Sequence, residues 1–127
     1  MTAIQELLDG AAEIDGVRHV MVVDRASGEI LQARSLTSVS GGLAGSPSMD
    51  EIQADVRRQL DIVASTEAQG LVQDVVLSSG PDHILLRTLA AGDQKVLLRV
   101  TLDRAQANLA AARFALRSVT QKFAAGC

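Results

Sequence analysis

Apolar positions along this chain change period several times, and the changes mark out its elements. Ile4, Leu7, Leu8 and Ala11 fall on one helical stripe. Thr2 to about Ala12 is therefore predicted as a helix, with Thr2 and Gln5 spaced as a capping box. Gly10 weakens that helix late, and Asp15-Gly16 supplies a turn. From Val17 to Asp24 the sequence reads VRHVMVVD, and Val20 to Val23 are apolar without alternation. Such a run predicts a strand covered on both faces. Arg25-Ala26-Ser27-Gly28 is a hairpin turn with glycine where a positive φ is wanted, and Glu29 to about Ser35 is the return strand.

Leu36 to Pro47, rich in Gly and Ser, reads as a connecting loop. Ser48 to about Ala68 is predicted as the second helix, with Ser48 and Glu51 as its capping box. Met49, Ile52, Val56, Leu60 and Val63 form its apolar face, while Glu51, Asp55, Arg58 and Asp61 lie outward with Ile62 at the flank. Gly70 stops the helix. Strands follow at Leu71–Ser79, His83–Leu89 and Gln94–Thr101, joined by turns at Gly80-Pro81-Asp82 and Ala90-Ala91-Gly92-Asp93. Asp103, with Gln106 three residues on, is expected to cap the last helix. Its core stripe would be Ala105, Leu109, Ala112, Leu116, Val119 and Phe123, and Gly126 lies past its end. The predicted order is α-β-β-α-β-β-β-α in one domain, residues 1–127, with a sheet between helical layers.

Composition narrows the function more than the fold. With 12 basic and 15 acidic residues, the net charge is −3. There is no Trp or Tyr, and only Phe114 and Phe123 are aromatic. Neither the electrostatic nor the stacking part of nucleic-acid binding is present. Cys127 is the one cysteine, so an internal disulfide framework is excluded and a reducing, cytoplasmic setting is expected. As the last residue, Cys127 has no prenylation box after it and reads as a free thiol. The start of the chain does not read as a signal peptide, and no apolar run approaches the ~20 residues of a membrane span.

A search for reactive constellations returns ordinary structural roles. The Gly/Ser loop lacks the lysine of a phosphate loop. His19 and His83 each sit in a predicted strand without ligand spacing around them. Asp50 and Glu51 suit the first turn of a helix dipole. No catalytic residue, metal ligand or cofactor site is expected.

Two stretches carry a resemblance. IDGVRHVMVVDRASGEILQA, Ile14 to Ala33, has Gly16-Val17, a strand, then Asp24 and Gly28 at a turn. LDRAQANLAAARFALRS, Leu102 to Ser118, has Asn108-Leu109 and Arg113. Together they resemble the opening and closing segments of Roadblock/dynein-light-chain domains, and among bacterial members the chain looks like the MglB type. The resemblance implies a five-stranded antiparallel sheet, with the first and last helices on one face and the middle helix on the other. It implies homodimers that join two sheets into one, and a protein partner, a small Ras-like GTPase. Elsewhere the family serves dynein and nutrient-signalling scaffolds. A small-molecule sensor of PAS- or profilin-like outline is the alternative; it would need a cavity with converging polar anchors, and the scarcity of aromatics and the well-filled aliphatic strands argue against it.

Two sets of site residues follow. Leu71 to Ser79 should be a sheet edge, and its apolar character invites pairing with a second copy through Val72, Asp74, Val75 and Val76. The second helix should present Glu51, Asp55, Arg58, Asp61 and Ile62 to the partner. Changing Asp55 and Asp61 together to Lys is expected to weaken that binding and leave stability nearly unchanged.

Overall fold

A computed structural model describes residues 3–35, 49–68, 74–80, 82–91 and 94–125. The order is α1 (Ala3–Ala12), β1 (Val17–Asp24), β2 (Ile30–Ser35), α2 (Met49–Ala68), β3 (Asp74–Ser79), β4 (Asp82–Ala91), β5 (Gln94–Asp103) and α3 (Leu109–Ala125). The expected capping residues Thr2 and Ser48, the loop 36–47, Gly70, Val72, Pro81, Gly126 and Cys127 lie outside the described residues. So do the side chains of Met49, Asp74 and Phe123.

The strands form one antiparallel sheet in the order β2-β1-β5-β4-β3. Short hairpins join β1 to β2 and β4 to β5, and β1 pairs with β5 from Val17↔Leu102 to Asp24↔Val96. This places β5 at the centre, where Val96, Leu97, Leu98, Val100 and Leu102 are all buried. The unalternating Val20–Val23 run divides between two cores, as a strand covered on both faces must. Val20 and Val22 pack with Leu7, Leu8 and Ala11 of α1 and with Ala112 and Leu116 of α3. Met21 and Val23 pack with Val56 and Val63 of α2. The outer helices therefore share one face and α2 holds the other alone.

The chain's two family-like stretches meet at Gly16. Its φ is +87°, a region that side chains with a Cβ rarely enter, and an added Cβ would lie 2.7 Å from Ala107 Cβ. The Asp103 N–H donates to Gly16 O at 2.7 Å, tying the end of β5 to the start of β1. Gly28, φ +76°, closes the β1–β2 turn by donating its N–H to Asp24 O at 2.8 Å.

The last helix starts later than its sequence suggests. Asp103 does not cap it: its carboxylate accepts the Ala105 N–H at 2.9 Å, and its carbonyl accepts the Ala107 N–H at 2.8 Å. The segment is a turn, and Ala105 is exposed rather than in the core stripe. Asn108 is the true cap, its Oδ1 accepting the Ala111 N–H at 3.1 Å before α3 begins at Leu109. Strands β4 and β5 also run longer than predicted, pairing from Asp82↔Asp103 to Ala91↔Gln94.

Candidate partner-binding surface

α2 covers its face of the sheet with Ile52, Val56, Leu60 and Val63, as the apolar spacing predicts. A fifth inward residue, Gln59, is one that the apolar pattern leaves out. It is 1% exposed, and its Oε1 accepts a hydrogen bond from Arg99 Nε of β5 at 2.8 Å. Arg99 is itself only 9% exposed, and its Nη1 also reaches Thr101 Oγ1 at 3.5 Å. Burial pulls this guanidinium below its ordinary pKa, and the carboxylates of Asp55 and Asp82 pull it back up. The charge is thus held by neutral acceptors at contact distance and by carboxylates farther off. Spacing contains the signal: Ile52, Val56, Gln59 and Val63 step by 4, 3 and 4, placing Gln59 on the buried seam.

The same sheet face carries a polar end. Arg18 Nη1 donates to Asp82 Oδ1 at 3.0 Å, bridging β1 to β4 past β5. Neighbouring His19 lies 3.4 Å from Ser35 Oγ through its Nε2. Burial lowers the His19 pKa from its ordinary 6.5, and the positive charges of Arg99 and Arg18 lower it further against a small opposing effect of Asp82. His83 points elsewhere, its Nδ1 2.8 Å from Ser78 Oγ.

The outward residues of α2 spread over about 120° of the helix surface. Glu51, Asp55, Arg58 and Ile62 recur at 4, 3 and 4 residues and share a stripe. Asp61 stands about 120° around the helix from Asp55 but only about 60° from Arg58, its neighbour one turn back. Glu51, Arg58 and Asp61 are exposed, whereas Asp55 and Ile62 are half-buried. Asp55 and Arg58 hold each other, Oδ1 to Nη2 at 2.6 Å. Asp55 therefore has two duties, this surface pair and the field on buried Arg99.

β3 is an edge strand, as expected. Its inner side pairs with β4 from Asp74↔Arg87 to Ser79↔Asp82. Val75 and Leu77 pack at the margin of the α2 core and Val76 at the margin of the other, all half-buried. The edge is apolar on both faces, a poor ending for a sheet in water. Beside it, Arg87 Nη1 is buried without a hydrogen-bond partner among the described residues. No group of three or more His, Cys, Asp or Glu among those residues is arranged to hold a metal ion. No described helix is long and apolar enough to cross a membrane.

This architecture is the Roadblock/LC7 fold in its MglB-like form. The gliding protein MglB from Thermus thermophilus superposes with a TM-score of 0.66 at 18% identity, covering 96% of this chain and 85% of that one. MglC from Myxococcus xanthus matches at 0.63 and 16% identity over 100% of both chains. A Roadblock/LC7 domain from Streptomyces avermitilis matches at 0.64 and 11% identity, covering 93% and 91%. No protein-family model matches the sequence, and no curated protein matches it. The likeness is therefore one of fold.

Proposed function

We propose that this chain is a single-domain, non-catalytic interaction module that acts as a homodimer and binds a small Ras-like GTPase, regulating or scaffolding it. The observation that carries the reading is the pairing of an open apolar edge, β3, with a face covered by one helix alone. Edge-to-edge pairing of β3 with a second copy closes the sheet by an isologous contact. Val72, Asp74, Val75 and Val76 belong to that seam. It would bring two α2 helices to the same side of a joined sheet and double the charged surface they offer. MglB-like relatives of the same fold lend support, since the resemblance implies a GTPase partner for that surface.

Light scattering on the purified chain tests the dimer, and a monomer at micromolar concentration ends that part of the proposal. The partner surface is tested with Glu51→Lys plus Asp61→Lys. This pair is cleaner than Asp55→Lys, because Asp55 also faces buried Arg99. Binding to the Ras-like GTPase encoded nearest to it, loaded with GDP or a non-hydrolysable GTP analogue, is expected to weaken several-fold. Charge at an interface acts mainly on specificity and association rate. The dimer should persist, and unfolding free energy should move by ~0.5 kcal/mol or less. Unchanged affinity for both nucleotide states would remove α2 from the partner surface.

A further inference from the structure

On the α2 side of the sheet, the end where β1 begins carries charges that the helix does not fully cover. Ser35, His19 and Thr101 stand in register there on β2, β1 and β5. The register shift in β1 between Val17 and His19 falls at Arg18, so Arg18 reaches Asp82 on the face that His19 also serves. Arg18, His19 and Asp82 are half-buried and Ser35 is exposed, whereas Thr101 and Arg99 lie beneath. The charges at this end do not balance. Asp82 is held by Arg18, and Asp55 of α2 is held by Arg58. The Asp103 carboxylate is turned to the Ala105 N–H. Arg99 is left with the neutral acceptors Gln59 and Thr101, so its positive charge is the surplus. His19 registers that surplus: after burial, Arg99 and then Arg18 lower its pKa, against the opposing effect of Asp82.

We propose that Arg18, His19 and Arg99 receive the carboxylate of an Asp or Glu side chain from the protein that α2 meets. Arg18 keeps further N–H donors beside the one given to Asp82, and Arg99 supplies charge from below. The size of the surplus selects the ligand. A carboxylate is a monoanion and balances a single positive charge, whereas a phosphate dianion would overshoot it and face Asp82. A polyanion would also be opposed by the chain's net charge of −3. Continuity with α2 supplies the source, because Asp55, whose charge acts on Arg99, shares a stripe with Glu51 and Arg58. The proposal rests on α2 being a partner surface and adds what the partner must bring, an acidic side chain set over the end of the sheet.

The test begins with the full chain and no GTPase. The probes are N-acetylglutamic acid α-amide, whose one carboxylate is its side chain, the matching glutamine compound, and inorganic phosphate, all at constant ionic strength. NMR follows the His19 ring from about pH 5 to about pH 8. The glutamate probe is expected to saturate on the order of 10 mM. It should raise the His19 pKa back toward 6.5, because a bound negative charge favours imidazolium. The glutamine probe should do neither. Arg18→Gln should weaken the glutamate probe by about tenfold, the worth of one charged hydrogen bond. Asp82→Asn should tighten it, since a competing carboxylate is gone. Loss of the Arg18–Asp82 bridge as a purely structural element would move both variants the same way, and that result would overturn the proposal. So would equal response to the glutamate and glutamine probes, no response to either, or tighter binding of phosphate. With the GTPase added, Arg18→Gln should lower its affinity by a similar factor. An effect of Glu51→Lys plus Asp61→Lys with none from Arg18→Gln would overturn the proposal and leave the α2 reading standing.

Discussion

Leu97 and Leu98 are neighbours in β5, both fully buried, yet they point into different interiors. Leu98 lies under α1 and α3 among aliphatic side chains, where buried Thr120 spends its hydroxyl on Arg117 O of its own helix. Leu97 lies under α2, where the buried set also includes Gln59, Arg99 and Thr101. One face is sealed by two helices that touch so closely that a Cβ on Gly10 would sit 3.0 Å from Val119 Cγ1. The other is covered by one helix whose seam is pinned by a hydrogen bond from a buried cation. The first arrangement stabilises the fold, and the second fixes where α2 sits over the sheet. A helix with sheet on one side and solvent on the other has room to meet a partner.

The largest effect expected from this contrast is in the two leucines themselves. Leu98→Ala should cost near the top of the ~2–5 kcal/mol range for a buried leucine, because two close-packed helices cannot collapse into the cavity. Leu97→Ala should fall near the bottom of that ~2–5 kcal/mol range, since α2 can settle toward the sheet. Urea unfolding of the two variants decides it, and an inverted order would mean that α2 is the more rigid cover.

Next in size is the buried hydrogen bond. Gln59→Leu keeps the volume but leaves Arg99 Nε without its acceptor, which should cost about 1–3 kcal/mol. Arg99→Met added to Gln59→Leu should recover most of that loss, because two apolar groups replace two polar ones. A double-mutant cycle in urea gives the coupling energy. Additive losses in the cycle would show that the two side chains do not depend on each other.

These two residues also mark how far the sequence can be read. The strands are legible because Val20–Val23 cannot alternate and so must be buried twice, and because the turns around Gly28 and Gly80 need the positive φ both adopt. The edge position of β3 follows only from the family resemblance, since no local pattern states which strand ends a sheet. Asp103 and Asn108 are easily confused because an Asx turn and a helix cap use the same residue types at similar spacing. Gln59 escapes notice because its type outweighs its position in the 4-3-4 stripe. Arg99 gives no warning, because its acceptor is 40 residues away in the chain. Local signals specify elements well, and long-range polar pairs only become visible when the elements are packed.

The smallest effect concerns pH and again separates the faces. His19 lies on the α2 side, near Arg99 and Arg18, and its pKa is depressed from 6.5 by burial first and by those charges second. The folded state therefore holds the His19 proton less tightly than the unfolded chain does. Between the folded value and 6.5 the unfolded chain binds more protons, so stability rises with pH across that window. The His19 contribution is complete above 6.5 and is lost as pH falls through the interval below it. Urea midpoints measured in small pH steps should show this decline, and His19→Gln should flatten it without altering the plateau above 6.5. A decline that persists unchanged in His19→Gln would assign the titration to carboxylates instead. If the variant also frees the α2 face from pH, partner binding there should lose its dependence in the same interval.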